Sequence, residues 1–197
     1  MAVSLPKREL KTEENLHYVK PITAVPGVTA EEYVLAGDGL TDWTQSSNPN
    51  TEDGQYIHEK TQHSNMLGYA GSVSYSGVAF PSDLFNYWIY LIGKNEIVGA
   101  QFEEIEVETW NNTEEKKYKA YKRIYEVQPD NPGSGEGGSK LAIEGTFAQQ
   151  GSVIPGVFDI STKEFTADSA VESTSQLQGK DKKNQEELKN QEELKNE

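Results

Sequence analysis

Between residues 72 and 128 the hydrophobic period of the chain switches from about two residues to about 3.6 and back, which requires a strand, then a helix, then strands again. In Ser72-Val73-Ser74-Tyr75-Ser76-Gly77, Val73 and Tyr75 alternate with serines, as a half-buried strand requires, and Gly77 is placed for a bulge. Ser82 is then positioned to cap a helix, with Asp83 in its first turn, where the helix dipole favours negative charge. Leu84, Phe85, Trp88, Ile89, Leu91 and Ile92 form one wide apolar face, and Gly93 is placed to stop a helix expected at about 82–93. A stripe that wide must pack against a sheet. Strand character returns at 101–110 and 117–128, joined by the polar link 111–116. Paired antiparallel, these strands set Glu104 near Arg123 and Glu108 near Lys119 on one face, with Val107 meeting Ala120 on the other.

The flanking regions read more weakly. Short runs at 17–19 and 33–35 between Pro21, Pro26 and Gly27 are expected strands. Residues 37–54 are rich in Gly, Asp, Ser, Asn and Thr, with Leu40 and Trp43 as the only large apolar side chains, and read as one long loop. Strand resumes at 56–60, a flexible connector follows at 129–139, and the last strands are expected at 140–147 and 156–165. The domain is therefore drawn at 1–166. Beyond it, 167–197 is a polar tail ending in two copies of Asn-Gln-Glu-Glu-Leu-Lys at 184–195. A six-residue period keeps Leu188 and Leu194 off one helical stripe, so this tail cannot bury a core by itself.

Composition narrows the function classes. Of 197 residues, 35% are hydrophobic and the mean hydropathy is -0.72, so part of the chain must be loop or tail. No apolar run nears the roughly 18 residues of a membrane span, and the charged N-terminus lacks the apolar region of a signal peptide. Absence of cysteine removes disulfides, thiolate metal sites and cysteine nucleophiles. With 18 Lys+Arg against 32 Asp+Glu the formal charge is -14, which repels phosphate and disfavours tight DNA binding. It does not forbid a surface past which DNA slides, and it also serves plain solubility. The stripe Glu104, Glu106, Glu108 likewise has two readings: a solvated face with cross-strand ion pairs, or the wall of a channel.

Chemistry-bearing motifs are weak. Residues 133–138 match G-x-G-x-x-G by letter, but the run after them reads as strand rather than the helix a phosphate site needs, and Glu136 would repel phosphate. His58 and His63 are five apart, unlike the spacing of a zinc-binding helix, and no G-x-S-x-G occurs. Asp38, Asp42, Glu52 and Asp53 are acids in a chain full of acids and lack the EF-hand order. The sequon Asn111-Asn112-Thr113 is inert without an export signal. No catalytic residue, metal site or cofactor is expected.

The strand at 72–77, Pro81-Ser82-Asp83 with the helix to Ile92, the acidic strand 101–110, and the ending Gly151-Ser152-Val153-Ile154-Pro155-Gly156-Val157-Phe158-Asp159 with Lys163-Glu164-Phe165-Thr166 resemble the major tail proteins of siphophages of Gram-positive bacteria. The likeness is strongest over 65–166. It implies a mainly β fold of two packed antiparallel sheets flanked by one helix, and rings of six subunits whose inner strands close a barrel around a lumen. It makes 37–54 the candidate loop between rings, with Leu40, Asp42 and Trp43 as its contact residues, and Glu104, Glu106 and Glu108 candidates for the lumen wall. Implied partners are further copies of the chain, the tape measure, tail terminator and distal tail proteins, and double-stranded DNA in transit, without a membrane. The implied location is the virion tail, assembled in the bacterial cytoplasm. The rival reading is a monomeric β-sandwich module recognising a carbohydrate or surface partner. Oligomerisation separates the two. An enzyme ranks third, because no acid, base and nucleophile converge.

Overall fold

The computed structural model describes residues 6–28, 31–58 and 60–168, so the 184–195 repeat lies outside the described residues. The fold is mainly β, antiparallel throughout, with one α-helix among the described residues. A short 3-10 turn, Thr12–Glu14, leads into β1 (Asn15–Pro21) and β2 (Val34–Leu35). Next come β3 (Leu40–Ser46), β4 (Pro49–Gly54), β5 (His63–Tyr69) and β6 (Ser72–Val78), then α1 (Leu84–Lys94). The chain closes with β7 (Gln101–Glu114), β8 (Lys117–Ser134), β9 (Ala142–Asp159) and β10 (Glu164–Ala167).

Eight strands form one sheet in the order β2-β1-β7-β8-β9-β6-β3, with β10 also on β9, while β4 and β5 pair only with each other. The large sheet curls back on itself. His17 on β1 stacks on Trp43 of β3, ring centroids 4.6 Å apart, although β7, β8, β9 and β6 lie between their strands in the sheet. One hydrogen-bonded sheet thus supplies both facing surfaces of the expected sandwich. The bend is built into the long strands: Lys122 opposes Ile154 but Ile124 opposes Gln150, so β9 carries extra residues there, and Gly151 takes φ 78.

The larger core lies inside the curl. Phe85, Trp88, Ile89 and Ile92 of α1 are buried against Val19, Val73, Tyr75, Phe102, Tyr125 and Phe147, with Leu84 and Leu91 half-buried at the margin. Each fully buried side chain of this size contributes about 1.5–3 kcal/mol. A smaller core on the opposite face gathers Tyr18, Ile105, Val107, Ala120 and Phe158, capped by Tyr33 and Phe165. Val19 and Tyr18 are neighbours in sequence yet serve different cores, because side chains alternate across a strand.

The predicted register of the hairpin is present as far as Val107: Glu104 opposes Arg123 and Val107 opposes Ala120. Beyond it the register shifts, Glu108 does not oppose Lys119, which pairs with Asp168 instead, and most of the expected link 111–116 is strand. Other expectations need correction. Asp83, not Ser82, caps the helix, its Oδ1 accepting from the Asn86 N–H at 2.7 Å. Gly93 lies inside the helix rather than ending it. A Cβ there would come within 2.4 Å of the Pro132 Cβ, so the glycine permits close packing on β8. Gly77 faces a bulge carried by the partner strand at Thr41, since Leu40 opposes Gly77 and Asp42 opposes Ser76.

Residues 37–54 are not a loop: they hold β3 and β4. The strand expected at 56–60 is not formed: residues 56–58 and 60 lie between β4 and β5 outside any strand. Much of the expected connector 129–139 belongs to β8, which pairs with β9 as far as Ser134 and Ala142. The two strands expected at 140–147 and 156–165 are one long bent strand plus β10.

Candidate assembly surface

The acidic stripe of β7 has the predicted alternation but not the predicted exposure. Glu104 is fully buried. Its carboxylate accepts a hydrogen bond from His17 Nδ1 at 2.7 Å, which requires that nitrogen to carry the proton, and lies 3.4 Å from Arg123 Nη1. The same Arg123 nitrogen donates to Glu106 at 2.7 Å, and Asn15 donates to Glu106 at 3.2 Å. Burial opposes the charge on Arg123, but Glu104 and Glu106 outweigh it and hold the guanidinium pKa above its ordinary value. Glu108 remains half-exposed and accepts from Asn111 at 2.9 Å. Glu104 therefore cannot line an aqueous channel in this conformation. It is committed to the fold.

On the other face, Glu103 pairs with Lys122 at 2.7 Å and accepts from the Tyr33 hydroxyl at 2.5 Å. Burial raises its pKa, yet Lys122 and Tyr33 together bring it below the ordinary value. Both clusters join distant segments: Glu104 ties β1 to β8 through β7, and Glu103 ties the 31–36 segment to the same strands.

Of the residues proposed to contact the next ring, Leu40 and Trp43 are half-buried against the larger core. Trp43 packs between His17 and Phe147, so it closes the curl rather than protruding. Asp42 is exposed on β3 and accepts from Thr44 at 2.9 Å. The part of this stretch that leaves the body lies further along the chain.

That part is the β4–β5 hairpin. β3 and β6 are the last two strands of the large sheet, and β4 and β5 continue that ribbon past Asn48, whose φ is 42. Asn48 anchors the root: its Nδ2 donates to the Ala70 carbonyl and to Ser72 Oγ, at 3.1 and 2.9 Å. From there the hairpin leaves the body. Residues 49–53 and 64–67 are exposed on both faces, and Tyr56, Ile57, Met66, Leu67 and Tyr69 offer large apolar side chains to solvent. Tyr56 stacks with His58 and His63 at the tip. Isolated two-stranded hairpins are marginal in water, and five large apolar side chains exposed on one such hairpin are more than its own packing can cover.

No family model matches the chain, and no curated protein matches it. Solved structures do. A chain from the tail of an empty gene transfer agent particle, determined with helical refinement in C6 symmetry, is 16% identical with a TM-score of 0.49, covering 81% of this chain and 100% of that one. A chain from the virion of the native gene transfer agent particle is 15% identical with a TM-score of 0.49 and the same coverage. A chain from the six-fold symmetrised baseplate of the anti-feeding prophage is 7% identical with a TM-score of 0.43, over 79% and 99% of the two chains.

The hairpin strands were missed from sequence because neither of their faces is buried, so neither imposes a period of two. The available signal was unusual apolarity in a polar stretch: Met66, Leu67 and Tyr69 close behind Tyr56 and Ile57.

Proposed function

We propose that this chain is the structural subunit of a phage tail tube, assembling into stacked hexameric rings around a channel for DNA passage. The observation that carries the reading is the β4–β5 arm, whose strands are exposed on both faces and which presents Tyr56, Ile57, Met66, Leu67 and Tyr69 to solvent. Such an element completes its packing only against another molecule, and an arm that projects from one end of a subunit contacts a neighbour further along a stack. The resemblance of residues 65–166 to major tail proteins supplies the ring, its six-fold number and the further partners: tape measure, terminator and distal tail proteins. The channel's negative potential then derives from the net charge of -14 per copy and from half-exposed groups such as Glu108, while Glu104 and Glu106 are spent on Arg123. At physiological salt that potential reaches about 8 Å into the lumen.

The rival reading, a monomeric binding module, would use the cavity of about 570 Å³ at the arm root, lined by Gln45, Tyr69, Arg123, Gln149 and Ser152 among others. Negative-stain microscopy over a concentration series, with and without preformed tail tips as initiators, separates the readings. Rings or tubes are expected. A monomer under every condition overturns the tube and leaves the cavity as the site to pursue.

A further inference from the structure

The arm has an apolar counterpart at the opposite end of the ribbon from which it grows. β6 begins at Ser72, beside the arm root, and ends at Val78, where the Ala79 N–H donates to the Leu141 carbonyl at 2.8 Å. Seven residues of strand separate the two ends by about 20 Å. At the far end Phe80 and Leu141 are exposed large apolar residues, held in place from behind. The Phe80 N–H donates to the Oδ1 of buried Asn86 at 2.8 Å, and that amide donates in turn to the Val78 carbonyl at 3.0 Å.

Charges at the two ends are complementary. Lys140, next to Leu141, is exposed and makes no ion pair among the described residues. On the arm, Glu52 and Asp53 are exposed and likewise make none. Asp38 at the Phe80 end and Lys60 near the arm tip are also exposed and opposite in charge.

We propose that the surface around Phe80, Lys140 and Leu141 receives the β4–β5 arm of a second copy of this chain in the adjacent ring, Met66 and Leu67 covering the apolar pair and Glu52 or Asp53 meeting Lys140. Donor and acceptor are different surfaces at opposite ends of one subunit. The contact is therefore heterologous and does not close on itself, which is the geometry that propagates a stack. The inference rests on the tube reading and adds its acceptor.

The absence of native cysteine makes the test clean. Copies carrying Leu67→Cys are mixed with copies carrying Leu141→Cys, assembled and oxidised, with Val98→Cys, another exposed apolar position, as the competing acceptor. A cross-linked pair specific to Leu67→Cys with Leu141→Cys is expected, and the doubly substituted chain should give a ladder of multimers. Separately, Lys140→Glu should raise the concentration needed for assembly about two- to five-fold, and Glu52→Lys with Asp53→Lys in the same chain should reverse that. Tubes that form without the Leu67–Leu141 cross-link, or that cross-link to position 98 instead, overturn this inference alone. A chain that never assembles overturns both it and the tube.

Discussion

At Glu104, His17 and Arg123 depend on one buried carboxylate, and Arg123 is shared with Glu106. Glu104→Ala takes the acceptor from His17 and leaves Arg123 with Glu106 alone, so it should cost about 1–3 kcal/mol in urea denaturation. Glu104→Gln, which keeps an acceptor for His17, should cost less. Glu103 gives the pH dependence. Its carboxyl titrates below its ordinary 4.5 in the folded state, so its contribution is complete above that value and is lost as the pH falls through the folded pKa. The stability advantage of the wild type over Glu103→Gln should therefore shrink as the pH drops below about 4.5, and an advantage that grows on acidification would contradict the assignment. The pairing of Glu104 with Arg123 was legible in the sequence, because hairpin register is local arithmetic once two strands and a short link are recognised. The burial of that pair was not. It depends on β3 arriving from the far end of the sheet to set Trp43 over His17, a contact that no local pattern encodes.

At the scale of elements, helix α1 was readable because its apolar face is wide and one-sided, while its ends were displaced by a residue or more. The capping rules allow Ser82 and Asp83 alike, and the choice falls to the side chain that reaches the Asn86 N–H. Gly93 was read as a stop signal when it marks a close approach. Gly93→Ala therefore sets two effects against each other: alanine raises helix propensity by about 1 kcal/mol, whereas its methyl would meet the Pro132 ring at 2.4 Å. The ring is covalently stiff and set in β8, so the clash should win and lower Tm. Pro132→Gly in the same chain should recover part of the loss, and a Gly93→Ala variant more stable than wild type would refute this packing. The β4–β5 arm escaped notice for the opposite reason to the helix. Sequence periodicity reports burial, and the arm has too little of it to leave a trace.

For the whole molecule, the decisive feature is that β8 and β9 run the length of both cores. Tyr125 and Val127 serve the inside of the curl, while Ala120 serves the smaller core on the opposite face, all on one strand. Phe147 and Phe158 divide β9 in the same way. Neither core can open without drawing on strands that the other holds in register, so the body should behave as one cooperative unit. Native-state hydrogen exchange should accordingly give backbone amides of β7, β8 and β9 from both cores the same opening free energy, with the arm amides of β4 and β5 exchanging far faster. Two separate protection classes, one per core, would refute the coupling. If the chain assembles as proposed, its described residues bring to the contact a body that is already rigid and a loosely held lever, and the ordering that assembly imposes on them falls on the lever.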